Sequence, residues 1–343
     1  MRHLLNTLFV TTEDCYLTLE GENVVVLREE KTLGRFPLHS LEGILCFTYK
    51  GASPALMGAC AQRNVMLSFM RPTGRFLARV AGATVGNVLL RKAQYRISED
   101  VALSLPIAKS FILGKVYNCR WVLERATRDH PMRVDVERLK GASGLLYNHL
   151  PMIDAADNHD TLRGLEGECA LRYFGVLDEL ILRDKESFYF TARTRRPPLD
   201  NVNAILSFFY TVLSNDCASA LESVGLDPYV GFMHTDKPGR ASLALDLMEE
   251  LRSILVDRFT ITMINNRVLT PEHFDEQESG AVMLTEDGRK AAISAWQDKK
   301  RDVIEHPFLK EKIPWGLVPY VQALLLARCI RGDLDAYPPF MWK

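Results

Sequence analysis

No two cysteines of the sequence stand in CxxC spacing, and the seven present, at positions 15, 46, 60, 119, 169, 217 and 329, are scattered and odd in number. That argues against a cysteine zinc site and a disulfide framework, and fits a reducing cytosol. An excess of one charge is missing too: the formal net charge is −1, so any contact with nucleic acid has to come from local patches. The first residues, MRHLLNTLFVTTED, lack the apolar core and small-residue cleavage site of a signal peptide. No uninterrupted apolar run reaches the ~18 residues of a membrane span. These absences lead to the expectation of a soluble cytoplasmic protein without a membrane segment. What is present is an ordinary globular composition, 47% hydrophobic and 25% charged, in a chain of 343 residues, long enough for two domains.

The N-terminal part reads as strands. Leu4–Thr11, Cys15–Leu19, Asn23–Leu27, Leu33–Pro37 and Glu42–Thr48 are short, β-branched or alternating, and parted by turn residues such as Glu20–Gly21–Glu22. Pro54–Arg63 reads as one inserted helix, with strands Val65–Met70 and Phe76–Ala81 around a Pro72–Thr73–Gly74 turn. From Asn87 a 3.6-residue period takes over, through Leu103–Thr127, Arg133–Leu146, Asp160–Leu182, Val202–Leu213, Ser242–Val256 and Arg289–Glu305. The expected fold class is therefore α+β: a small β-rich domain over 1–85 and a larger all-α domain over 86–343.

Three segments concentrate the chemistry. In HDTLRGLEGECALRYFGVLDELIL an apolar stripe runs through Leu162, Leu165, Cys169, Ala170, Tyr173 and Leu177, and Glu166 shares it, whereas Glu168 and Arg172 lie off it. A carboxylate on an apolar face has to be paired, protonated or metal-bound, because an isolated buried charge is too costly. The alternative to a metal ligand is an ion pair with a buried arginine. His234 follows Gly225, Pro228 and Gly231, so a loop presents it ahead of the helix of Leu243–Val256, with Ser242 as N-cap. In that helix Asp246, Glu249 and Glu250 share one edge and repel one another unless a cation lies near; the alternative is a solvated acidic face.

Basic residues cluster twice. Nine Lys and Arg against four acids lie between Arg91 and Arg133, a pattern that also suits an ordinary helix surface. Arg193, Arg195 and Arg196 in TARTRRPP form a loop stiffened by two prolines, and three arginines there repel one another without an anionic partner.

Taken in order, these segments resemble the CRISPR-associated integrase family (Cas-one), which inserts new spacers. The resemblance covers nearly the whole chain: a strand-rich start, GNVLLRKAQYR, IAKSFILGKVYNCR, RGLEGECALRYF, RRPPLDNVNAILSFFYTVL, then GLDPYVGFMHTDKPGRASLALDLMEELRSILVDR. Length and wording look most like the version of type I-C loci. The resemblance implies that Glu166 of the E-G motif, His234 of the G-x-x-H motif and Glu249 on the following helix bind a catalytic Mg²⁺ or Mn²⁺. It makes Asp246, the first acid of a D-x-x-[DE] pair, a supporting or alternate ligand. It implies phosphate contacts for Arg193, Arg196, Lys237 and Arg240. It further implies a DNA strand transferase acting on prespacer and CRISPR repeat, with a homodimer formed through the β domain. Two such dimers would flank the ferredoxin-like companion Cas-two in a heterohexamer, and the iron–sulfur exonuclease Cas-four would join in type I-C loci. Two other readings of the residues are a metal-dependent repair nuclease acting on branched DNA and a non-catalytic DNA-binding scaffold.

Overall fold

The computed structural model describes residues 7–12, 14–71, 76–82 and 88–343. The chain opens with strand β1 (Thr7–Val10) and an antiparallel meander of β2 (Tyr16–Glu20), β3 (Asn23–Arg28) and β4 (Lys31–Pro37). β3 is buried through Val24–Val26, while β4, on the edge, stays largely exposed. Next come β5 (Gly43–Cys46), helix α1 (Pro54–Arg63), β6 (Met66–Met70) and β7 (Phe76–Val80). β1, β5 and β6 pair in parallel, and β7 closes the four-stranded sheet antiparallel to β6. Parallel neighbours need a crossover, which the meander and α1 supply. α1 begins where Ser53 accepts a hydrogen bond from the Leu56 N–H and Pro54 fills the first turn; it ends at Asn64, whose φ of 53° is left-handed. The strands and the helix match the sequence pattern. Of the expected features, Leu4–Asn6, the Pro72–Gly74 turn and the boundary near residue 85 lie outside the described residues.

Helices dominate thereafter. α2 (Val88–Glu99) and α3 (Val101–Asp129) are parted by Asp100, whose carboxylate accepts from the Ala102 and Leu103 N–H groups. Asp135, Asn158 and Asp200 cap α4 (Val136–Ala155), α5 (His159–Phe174) and α6 (Asn201–Ser223) in the same way. α7 (Ser242–Leu251) continues through a π-helical turn, Arg252–Asp257, into α8 (Arg258–Asn265). The region is not all helix. A hairpin of β8 (Phe274–Glu276) and β9 (Val282–Leu284) precedes α9 (Glu286–Arg301), and another of β10 (Val303–Glu305) and β11 (Lys312–Pro314) precedes α10 (Val318–Arg331). Strands of three residues are too short to show a period, and Pro319 in the first turn of α10 reads in sequence as punctuation although that position tolerates it.

α6 is long and apolar enough to cross a membrane, yet 67% of its most apolar window is buried within the protein, as the central helix of a core would be. Its Phe208 stacks on Phe47 of the N-terminal part, ring centroids 5.9 Å apart, and Leu45, Phe47 and Met70 belong to the same buried cluster as the helices. The sheet and the helices thus share apolar contacts. Phe47→Ala and Phe208→Ala are each expected to destabilise the protein by about 3–5 kcal/mol. In urea denaturation the double variant should show a coupling of about 0.5–1.5 kcal/mol; strict additivity would show that the ring contact joins nothing.

Candidate functional site

α3 packs against both α5 and α7, and its apolar stripe, Phe111, Ile112, Cys119 and Val122, is interrupted by one cation, Lys115. Lys115 is 7% exposed. Its ammonium pairs with Oε1 of Glu166 on α5 and lies 2.8 Å from Oε2 of Glu249 on α7. Arg252, one turn beyond Glu249 in the π-helical segment, holds the other oxygen of Glu249 at 3.0 Å. Burial alone would raise the Glu249 carboxyl, but Arg252, Lys115 and His234 hold it down at about 2, from an ordinary 4.5. Burial likewise disfavours the charged ammonium, and Glu249 and Glu166 outweigh it, keeping Lys115 above its ordinary value. Glu166 does have an ion-pair partner, as one reading of its sequence allowed, but that partner is Lys115 and not an arginine. Glu166 is also less enclosed than its stripe suggests, with its side chain 26% exposed.

His234 is aimed by Asp246. One Asp246 oxygen accepts from the Phe232 and Met233 N–H groups at 2.6 and 2.9 Å; the other accepts from the His234 N–H at 2.9 Å and faces His234 Nδ1 at 2.6 Å. With Nδ1 assigned as the donor, the lone pair falls on Nε2, 4.0 Å from Glu249 Oε1. The loop can wrap this tightly because residue 231 is glycine. A Cβ there would stand 2.8 Å from the His234 carbonyl oxygen and 2.9 Å from Asp246 Oδ2. Ser242 is not the N-cap: Ala241 holds that position without a side-chain bond, and the Ser242 hydroxyl donates to the Thr235 carbonyl at 3.2 Å.

The three acids of α7 are all buried, which overturns a solvated acidic face, and they have three destinations. Asp246 holds the loop and Glu249 faces Lys115. Glu250 turns to the C-terminal segment and accepts from Tyr337 Oη at 2.5 Å, Gln322 Nε2 at 2.9 Å and the Phe340 N–H at 2.7 Å. Beneath the site, the guanidinium groups of Arg252 and Arg193 both lie 5.2 Å from the Tyr210 ring, and the Tyr210 hydroxyl donates to Asp257 at 2.5 Å. Burial pushes the Asp257 carboxyl up to about 6.

The expected phosphate contacts separate. Arg193 turns inward to Asn203 Oδ1 at 2.7 Å and Ser207 Oγ at 3.0 Å, so its donors are answered within the protein. Arg196 and Lys237 are exposed, and half-buried Arg240 closes its own loop through Thr235 and Ser242. Lys115 and Arg252 were not singled out from sequence. A cation four residues from both Phe111 and Cys119 was the available signal for Lys115; Arg252 stands three residues after Glu249.

Glu166, His234 and Glu249 suit a divalent cation in donor type, two carboxylates and an imidazole. A stand-in is present, since the Lys115 ammonium lies between the two carboxylates. The 4.0 Å between His234 Nε2 and Glu249 Oε1 exceeds a hydrogen bond, so the two donors are neighbours without being bonded to each other. Among the described residues no three His, Cys, Asp or Glu side chains are drawn close enough to grip a metal as they stand, which is what an ammonium filling the gap produces.

The family model of CRISPR associated protein Cas1 matches residues 8–298. The chain belongs to the Cas1 family. The CRISPR-associated endonuclease Cas1 1 of Chlorobaculum tepidum is 49% identical over 345 residues, and the Cas1 2 protein of Rhodospirillum rubrum 51% over 347, each covering 100% of both chains. Among solved structures, a casposase bound to its integration product superposes with a TM-score of 0.85 at 22% identity, over 98% of this chain and 94% of that one. A Cas1 protein from Thermotoga maritima follows at 0.82 and 19%, over 97% and 99%. At these identities the likeness establishes the shared α+β fold.

Removing Lys115 leaves two carboxylates facing each other. Lys115→Met is expected to lower stability by about 3–5 kcal/mol at neutral pH in chelator. Because the folded Glu249 value of about 2 lies below the ordinary 4.5, the pairing is fully present above 4.5 and is lost as pH falls toward 2. The gap between wild type and variant in urea midpoints should therefore narrow on acidification; a gap independent of pH would contradict the pairing.

Proposed function

We propose that this chain is the integrase of CRISPR adaptation, a divalent-metal-dependent DNA endonuclease and strand transferase. The observation that carries the reading is the approach of Glu166 and Glu249 to one cation, the Lys115 ammonium, with His234 Nε2 4.0 Å from the other oxygen of Glu249, in a Cas1-family chain. These three would hold Mg²⁺ or Mn²⁺, which supplies polarisation of a phosphate oxygen and neutralises charge on the attacking and leaving oxygens. The residues around them do the rest. Asp246 keeps Nε2 of His234 directed at the site. Arg252 fixes Glu249. Lys115, once displaced from a carboxylate, offers its ammonium to a phosphate. Beside Glu166, Gly164 and Gly167 are exposed, with open space where a side chain would stand, so a wide ligand can approach the α5 backbone closely. Exposed Arg196 and Lys237 are suited to backbone phosphates.

The reaction is a transesterification. The 3′-hydroxyl of the incoming fragment loses its proton to water and bonds to phosphorus at the repeat border as the repeat's own P–O bond breaks and the leaving 3′-oxygen takes up a proton from water. One phosphodiester replaces another, so no external energy source is needed; with water as the nucleophile, the same site nicks DNA. The division at residue 85, a homodimer through the β-rich part, a heterohexamer with Cas2 and a cytoplasmic location belong to the same reading. The Cas2 partnership is supported by a neighbour described as a Cas6-RT-Cas1–Cas2 complex. A type I-C-like locus belongs to this reading through the resemblance of the motifs, and a Cas4 partner is supported by a Cas4/Cas1 fusion of Geobacter sulfurreducens, 32% identical over 342 residues and 98% of this chain.

Glu166→Ala, His234→Ala and Glu249→Ala should each abolish joining of a 3′-hydroxyl fragment to repeat DNA while circular dichroism stays native. Asp246→Asn should lower it about 10–100-fold through misdirection of His234. Strand transfer retained by any of the three alanine variants sinks the metal assignment. Cleavage of branched DNA without joining would favour a repair nuclease, and the absence of Mn²⁺-linked thermal stabilisation that Glu166→Ala removes would favour a scaffold.

A further inference from the structure

We infer that a second anion site, apart from the Glu166–His234–Glu249 cluster, lies where α3, α8 and the C-terminal segment meet, and that it takes a phosphate group of a DNA strand. Arg258, the first residue of α8, is half-buried, and its Nη1 is buried without a hydrogen-bond partner. The nearby carboxylate of Asp129 is already held by Arg125 at 3.4 Å and Arg128 at 2.9 Å. Three guanidinium groups are thus neighbours of Asp129, and Asp302, the other acid that acts on Arg258, is already paired with Lys299 at 3.0 Å. Burial, with repulsion from Arg125 and Arg128, pushes Arg258 down to about 10. The indole of Trp342 lies beneath two of them, 4.9 Å from Arg258 and 5.2 Å from Arg125. Such contacts contribute about 0.5–2 kcal/mol and supply no acceptor oxygen. A guanidinium removed from water without an acceptor is costly, so the arrangement is complementary to an anion that brings several.

The floor is built before any ligand arrives. The backbone N–H of Trp342 donates to Asn118 Oδ1 at 3.0 Å, and Asn118 Nδ2 donates to the carbonyls of Glu250 and Phe340 at 2.7 and 2.6 Å. The cleft among Trp121, Arg125, Arg128, Arg258 and Trp342 measures about 50 Å³. That is room for an oxyanion and too little for a nucleobase. A strand is favoured over a free anion because the cationic surface continues beyond the cleft. Arg120 lies 5.1 Å from the Trp121 ring and 5.2 Å from that of Tyr147, which is 58% exposed. Guanidinium and aromatic groups alternating along a surface suit a single strand.

The inference rests on DNA being the substrate, and the experiment separates the two. Full-length protein is titrated into a fluorescein-labelled single-stranded oligonucleotide over a KCl series, followed by anisotropy. Arg258→Gln should weaken binding about 5- to 10-fold and lower the slope of log K against log salt by about 0.7, the value of one phosphate contact. Arg128→Gln, at an exposed position, should weaken binding in the same direction, and Mn²⁺-linked thermal stabilisation should persist in both. Unchanged affinity and slope in both variants, with wild type binding normally, overturns the site and leaves the proposed function standing. A wild type that binds no DNA overturns both. Thermal stabilisation by inorganic phosphate that Arg258→Gln removes, without any change in oligonucleotide affinity, overturns the strand in favour of a free anion.

Discussion

The site depends on one buried cation. Lys115 stands on the apolar face of the longest helix and is surrounded by core side chains, so it cannot remain charged there without carboxylates. Glu166 and Glu249 are those carboxylates, and each is a problem of the same kind for its own helix. The three side chains therefore fix one another, and with them the approach of α5 and α7 to α3. An ion pair of this sort is a weak source of net stability, because desolvation offsets most of the attraction, but it is a strong source of register. Sliding α7 by one residue so that Glu250 faced Lys115 would set Leu251 before the donors of Tyr337, Gln322 and Phe340 and leave them without a carboxylate. The placing of Glu166 and Glu249 around Lys115 is thus set by packing.

The π-helical turn at Arg252–Asp257 serves the same end. A regular helix through this stretch would rotate Arg252 and Asp257 relative to one another by a different amount. The wider turn lets Arg252 reach back to Glu249 while Asp257 accepts from Tyr210, whose ring lies beside Arg252 and Arg193. The segment links the site to α8 and so to Arg258. Site, aromatic support and the Trp342 cleft follow one another along a single run of chain.

Much of this was legible in the sequence, and what was not has physical causes. The strands of the N-terminal part, α1 and the long helices follow from periodicity and caps, because each is long enough to display them. The two short hairpins do not, nor does α10 behind its proline. Glu166, His234 and Glu249 are singled out by the order of motifs; spacing alone leaves Asp246 and Glu249 equivalent. Asp246 faces backbone N–H groups of a loop that the sequence places nearby but does not fold, and those bonds separate the two acids. Arg193 misled for a related reason: three arginines in a stiff loop suggest an anion, yet one of them had Asn203 and Ser207 within reach on the next helix. Lys115 was counted as surface charge although its neighbours at four-residue spacing are Phe111 and Cys119.

A net charge of −1 is poor guidance to how this chain meets a polyanion, because its acids and bases are differently placed. Five acids, Asp200, Asp246, Glu249, Glu250 and Asp257, are buried among the described residues, against three bases, Lys115, Arg289 and Lys300. Others, such as Asp100 and Asp135, face helix N-termini, where the backbone N–H groups already answer them. Carboxylates withdrawn into packing and caps no longer screen the surface. The exposed face is accordingly less acidic than the formal count, and its arginines and lysines act locally over a Debye length of about 8 Å. A protein built this way needs no overall basicity to hold a phosphodiester. It needs its carboxylates engaged elsewhere, and in this fold the helix that bears Glu249 engages three of them.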